Sequence, residues 1–168
     1  MNITRRALSL GLGPALSLAL SALTLGGCAS MAAAPTDIVT TASQTRQLST
    51  LSRLIADAGL ADTLRGAGPF TVYAPSDEAF QALPAKTLAD LVANKQMLAA
   101  VLRYHVVPGR ITAAETKAGN LKTAQGASLT MARAGDFVTV DDAVVQQADV
   151  TATNGMLHII DKVLMPPK

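Results

Sequence analysis

The 168-residue chain holds one cysteine, Cys28, and no tryptophan. A lone cysteine excludes an internal disulfide, so the fold has to stand without covalent staples. Three phenylalanines and two tyrosines make up the aromatics, and they offer no evident surface on which a polyene would stack. Imidazole is limited to His105 and His158. The chain contains no G-x-S-x-G elbow, no H-E-x-x-H and no phosphate-binding glycine loop, and its only thiol lies close to the N-terminus. These absences argue against an enzyme and against a cofactor or metal site. Internal repeats are also lacking, which leaves a single module.

Arg5-Arg6 followed by an apolar run from Ala7 to Leu25 reads as the charged and hydrophobic regions of an export signal over residues 1–27. Gly11, Gly13, Pro14 and the Gly26-Gly27 break disfavour an uncleaved membrane helix. Leu25-Gly26-Gly27-Cys28 resembles a bacterial lipobox, which makes Cys28 the lipid attachment site and accounts for the single thiol. Ordinary secretion with cleavage near Ala32 to Ala34 is the competing reading. Thr4-Arg5-Arg6-Ala7-Leu8 also resembles a twin-arginine signal. Fourteen basic residues less Arg5 and Arg6 leave twelve, against twelve acidic ones. The exported chain is thus formally neutral, with no argument for nucleic acid or for a membrane surface held by charge. Residues 28–36 are small, uncharged and contain Pro35, as a short tether would. With Ala29 after the cysteine, the expected location is the outer membrane or periplasmic side of the envelope.

Past residue 37 the pattern turns from helices to strands. Leu48, Leu51, Leu54 and Ile55, then Ala58, Leu60 and Leu64, recur at helical spacing and are split by Gly59. A second helical block over residues 86–103 places Leu88, Leu91, Val92, Met97, Leu98, Val101 and Leu102 on its apolar side. Beyond Gly119, short strands are expected at 121–123, 128–132, 137–140, 144–146 and 157–164, each bounded by Gly, Asp or Asn. Helices first and strands later predict an α+β fold.

The segment 68–80, GPFTVYAPSDEAF, holds a turn, a strand from Phe70 through Thr71 to Ala74, and a helix start. Pro75 ends the strand, Ser76 is an N-cap, and Asp77 helps to cap the helix that follows. This segment resembles the fasciclin (FAS1) domain. Tyr104-His105-Val106-Val107-Pro108-Gly109 is similar to the family's central Tyr-His element, and the run from Thr153-Asn154-Gly155 to Pro167 to its closing segment. The resemblance covers residues 37–167 and implies a wedge-shaped β-sandwich with a helical layer on its N-terminal half.

The chemistry-bearing residues have both structural and functional readings. His105 and His158 sit in apolar strand patterns, where a core histidine satisfied by backbone or carboxylate is expected ahead of a ligand. A metal site would need them to converge with Asp77, Asp149 or Asp161. Asn154-Gly155 reads as a tight turn in which both residues tolerate positive φ. Asp141-Asp142 is a solvated turn or a cation site, and Asp161 and Lys162 would lie on opposite faces of the last strand. In animal relatives the Tyr-His region is implicated in integrin recognition, but here Tyr104-His105, flanked by Leu102, Val106 and Val107, reads first as a packed strand whose Tyr hydroxyl finds one polar partner, and second as the interaction element. Met97 and Met156 fit core positions, leaving Met131 as a methionine free to meet a ligand. The expected function is adhesion or protein interaction at the cell envelope, toward an unidentified surface protein or polysaccharide. The alternative is an envelope carrier of a carotenoid- or lipid-like molecule.

Overall fold

The two apolar runs supply four of the six short α-helices in the computed structural model, which describes residues 36–135 and 137–167. The six are α1 (Ile38–Gln44), α2 (Ser49–Asp57), α3 (Ala61–Arg65), α4 (Asp77–Gln81), α5 (Ala85–Ala93) and α6 (Lys95–Tyr104), with a 3-10 turn at Arg46–Leu48. Side chains start three of them. Asp37 accepts from the Thr40 N–H at 2.9 Å for α1, Ser76 from Ala79 at 3.2 Å for α4, and Asn94 from Gln96 and Met97 at 3.1 Å for α6. Asn94 also breaks the helix expected over residues 86–103 into α5 and α6, which changes the helical phase. Val92 and Met97 flank the break and are exposed rather than packed.

Seven strands follow the order β2 (Val106–Pro108), β1 (Phe70–Pro75), β7 (Gly155–Ile160), β6 (Ala143–Ala152), β5 (Phe137–Val140), β4 (Ser128–Ala134), β3 (Gly119–Lys122). Among the described residues, only β1 and β7 run parallel, in register from Phe70 opposite Gly155 to Pro75 opposite Ile160. The sheet curls until its two ends meet: Ala124, just past β3, donates its N–H to the Val106 carbonyl on β2 at 2.7 Å. Strand β6 serves both halves, pairing with β5 through Ala143 and Val144 and with β7 from Val145 to Ala152. Two register shifts around Gln147 permit the bend.

Period-two alternation sorts the central strands between two cores. Val72 and Ala74 of β1, with Leu157 and Ile159 of β7, face Leu51, Ile55, Leu98 and Leu102 of the helices. Tyr73 and Ile160 face the inside of the curled sheet with Leu129, Met131, Val138 and Val140. Helices, inner strands and outer strands therefore form an α+β architecture with a helical layer on one side of a folded sheet. Met131 belongs to the second core at 1 % exposure and is not free to meet a ligand.

Three expectations are corrected here. Strand β6 runs to Ala152 rather than ending at 146, because its middle is exposed and polar and shows no apolar alternation. Strand β7 stops at Ile160, where Asp161 accepts from the Val144 N–H at 2.7 Å, so Asp161 and Lys162 lie beyond the strand. Thr36, placed in the tether by its sequence, accepts the Thr153 N–H at 2.9 Å and is part of the domain. The export signal, Cys28 and residues 28–35 of the tether lie outside the described residues.

Candidate interaction site at the Tyr104–His105 element

Helix α6 ends by delivering Tyr104 and His105 to adjacent but different environments. The Tyr104 hydroxyl donates to Asp141 Oδ2 at 2.8 Å and approaches the Ser128 carbonyl at 3.3 Å. Burial, reinforced by the Asp141 carboxylate, pushes its pKa up to about 12. A tyrosine so held stays protonated and acts as a donor, not a base. Asp141 sits at φ 49°, in the two-residue connection between β5 and β6, and its other oxygen accepts from the Thr130 N–H at 2.7 Å. It is therefore more than a solvated turn residue: it locks the hairpin to α6.

Above this bond lies a surface cavity of about 390 Å³, bounded by Tyr104, Asp141, Asp142, Lys162 and Met165. Met165 is 41 % exposed and supplies an apolar lip. Two carboxylates, one ammonium and a thioether around a shallow cleft can recognise a polar partner with some apolar surface. They contain no activated nucleophile.

His105 is 2 % exposed and bridges two segments. The Leu164 N–H can only donate, so Nε2, at 3.0 Å, accepts it; Nδ1 then carries the proton and donates to the Val101 carbonyl at 2.8 Å. Burial lowers its pKa to about 4. His158 has the opposite tautomer. Its Nδ1 accepts from the Asp149 N–H at 3.2 Å and its Nε2–H donates to the Ile111 carbonyl at 2.9 Å. Burial again lowers its pKa, only partly offset by the Ile111 bond and the Asp149 charge. Its ring stacks on Tyr73 with centroids 5.4 Å apart. The Tyr73 hydroxyl is buried without a hydrogen-bond partner among the described residues.

The remaining singled-out residues are occupied by backbone groups. Thr71 Oγ1 donates to the Gly109 carbonyl at 2.7 Å and accepts the Ile111 N–H at 2.9 Å, tying β1 to the loop after β2. Asp77 leaves its own helix to Ser76 and reaches across to the start of α2. There it accepts from Ser49 Oγ at 2.6 Å and the Thr50 N–H at 2.7 Å. Burial raises its pKa, but these bonds outweigh it and hold the carboxyl below the usual range.

Asn154 is not at positive φ, and neither is Gly155. The Asn154 side chain instead accepts the Ile38 N–H at 2.9 Å and donates to the Leu64 and Gly66 carbonyls at 2.7 and 3.2 Å. Gly155 is required by close approach, since a Cβ there would collide with the Phe70 carbonyl oxygen. Asp149 and Asp161 accept from the Ala113 and Val144 N–H groups. Among the described residues, no three His, Cys, Asp or Glu side chains gather closely enough to hold a metal ion. The structure joins Tyr104 to Asp141, a pairing that spacing does not reveal, and leaves the other candidates at separate structural joints.

Residues 46–166 match the family model described as Fasciclin domain. The chain is 44 % identical over 132 residues to Protein sll1483 of Synechocystis sp., covering 77 % of this chain and 73 % of that protein. It is 39 % identical over 147 residues to Cell surface glycolipoprotein MPB83 of Mycobacterium bovis, covering 84 % of this chain and 65 % of the relative. Transforming growth factor-beta-induced protein ig-h3 of Sus scrofa is 42 % identical over 126 residues, and there the match spans 72 % of this chain but 18 % of the relative. Among solved structures, the FAS1 domain pair from the insect cell adhesion molecule Fasciclin I matches with a TM-score of 0.62 at 19 % identity. That match covers 78 % of this chain and 51 % of the insect one, and it shows the same fold.

Proposed function

Because this chain belongs to the fasciclin family, we propose that it is a non-enzymatic adhesion or recognition module, exported and lipid-anchored through Cys28 at the cell envelope. One observation carries this reading: Thr71, Asp77, His105, Asn154 and His158 are engaged in hydrogen bonds within the domain, chiefly to backbone groups, while the cleft at Tyr104 presents an open rim of Asp142, Lys162 and Met165. A surface of that kind binds a partner by complementarity rather than transforming it. Two relatives support the setting, one named a cell surface glycolipoprotein and the other a structure of a cell adhesion molecule. Many anchored copies acting together on one surface would add useful strength to each weak contact. The partner is an envelope or surface protein or a polysaccharide.

The test compares cells expressing the wild-type chain, Cys28→Ser, and the charge reversal Lys162→Glu. Cell aggregation and capture of isolated envelopes should be strong for wild type. Both should fall at least about tenfold for the untethered variant as avidity is lost, and for Lys162→Glu without a change in Tm. Equal aggregation by all three strains would sink the proposal.

A further inference from the structure

A second recessed surface lies along α6, away from the Tyr104 cleft. Lys95, Ala99 and Arg103 are spaced four residues apart and share one helix face. Two cavities adjoin there, with Arg103 and Ala124 lining both. One, of about 370 Å³, is mixed, with Lys95, Gln96 and Gln125 on its walls beside Ala99 and Ala100. The other, of about 210 Å³, is apolar and is floored by Leu60, Leu64 and Val106, with Phe70 at its side. No carboxylate lines either half. Among the described residues, neither Lys95 nor Arg103 makes an ion pair within 4.0 Å, whereas Arg53 and Arg65 pair with Asp57 and Asp62. The groove therefore couples two cations without an ion pair among the described residues to an apolar floor.

We propose that this groove binds one anionic, single-chain amphiphile. Its phosphate or carboxylate head lies between Lys95 and Arg103, and its hydrocarbon chain lies on Leu60, Leu64 and Phe70. The two cations stand about 12 Å apart along the helix axis, close enough for both long side chains to converge on one head group. Arginine suits a head with two or more oxygens, because its planar fork bonds them in parallel. A neutral hydrophobe would desolvate Arg103 without compensation. A bilayer is a poor occupant because the apolar residues are recessed. The exposed large apolar side chains, Val92, Met97, Phe137 and Met165, lie elsewhere and line neither half of the groove.

The experiment titrates the full chain with dodecyl phosphate below its critical micelle concentration, using calorimetry. Inorganic phosphate, dodecyl maltoside and anionic phosphatidylglycerol vesicles serve as comparison probes. Dodecyl phosphate should bind saturably at one per chain, with both soluble comparison probes at least about tenfold weaker. Lys95→Gln and Arg103→Gln should each weaken it about fivefold or more. Ala124→Trp places an indole where the two halves meet and should abolish binding at unchanged Tm, since Ala124 is exposed and holds the fold through its backbone. Equal affinity for dodecyl maltoside, equal affinity for inorganic phosphate, binding to vesicles alone, or undiminished binding by Ala124→Trp would each overturn the proposal.

Discussion

Replacing Asp77 by alanine removes the acceptor for both Ser49 Oγ and the Thr50 N–H while leaving Ser76 to cap α4. The cost should be about 0.5–2 kcal/mol, read as a lower denaturant midpoint with an unchanged slope. Because the folded carboxyl titrates below its usual value, this contribution is present above the unfolded pKa and is lost as pH falls through the folded one. Asp141→Ala should cost about 1–3 kcal/mol, since it removes the acceptor of the Thr130 N–H, leaves the Tyr104 hydroxyl only the Ser128 carbonyl at 3.3 Å, and puts alanine at φ 49°. Asp141→Asn keeps an acceptor oxygen and tolerance of positive φ, so it should recover part of that loss. Thermal melts of the two variants side by side separate the hydrogen bonds from the backbone term.

Asn154 shows how one side chain can join elements that are remote in sequence. It links the start of α1 and the end of α3 to the turn between β6 and β7. Asn154→Ala should destabilise by about 2–4 kcal/mol, with amide exchange rising first in α1 and α3. An even rise across the sheet would argue against this local coupling. Such joints also mark where sequence reading stops. The change from helices to strands, the Ser76 cap and the strand from Phe70 to Ala74 are local properties and were legible. The Tyr104–Asp141 bond spans 37 residues and the Asn154–Ile38 bond 116, and no local pattern encodes them. Asn154-Gly155 carried a true turn signal for the wrong reason: close strand approach and cross-linking, rather than positive φ, select these residues. Met97 misled because Asn94 restarts the helix and turns its face outward.

At the scale of the whole molecule, two neutral buried histidines make the fold sensitive to acid. Both release their protons more readily when folded, so between the unfolded pKa of 6.5 and the lowered folded values the unfolded chain binds more protons. Stability should be full above about pH 6.5 and decline as pH falls toward about 4, with His105 alone accounting for on the order of 3 kcal/mol. Denaturant unfolding from pH 7.5 to 4 should show this slope, and His105→Gln, which offers one donor and one acceptor, should flatten it. A pH-independent midpoint would refute the assignment. The parallel pairing of β1 with β7 also bears on the order of assembly. Strand β7 comes last in chain order among the described strands, and its partner in β1 lies some 85 residues earlier. Pairs that far apart must close a long loop before they gain anything, which makes folding slow and dominated by non-local contacts. A nascent chain lacking residues 155–160 has its helices and β1, but not Leu157 and Ile159, the other half of the surface on which those helices pack. The helical layer should therefore complete its packing only after β7 has emerged, which leaves the part-made domain exposed to proteolysis for longer than one built from local contacts.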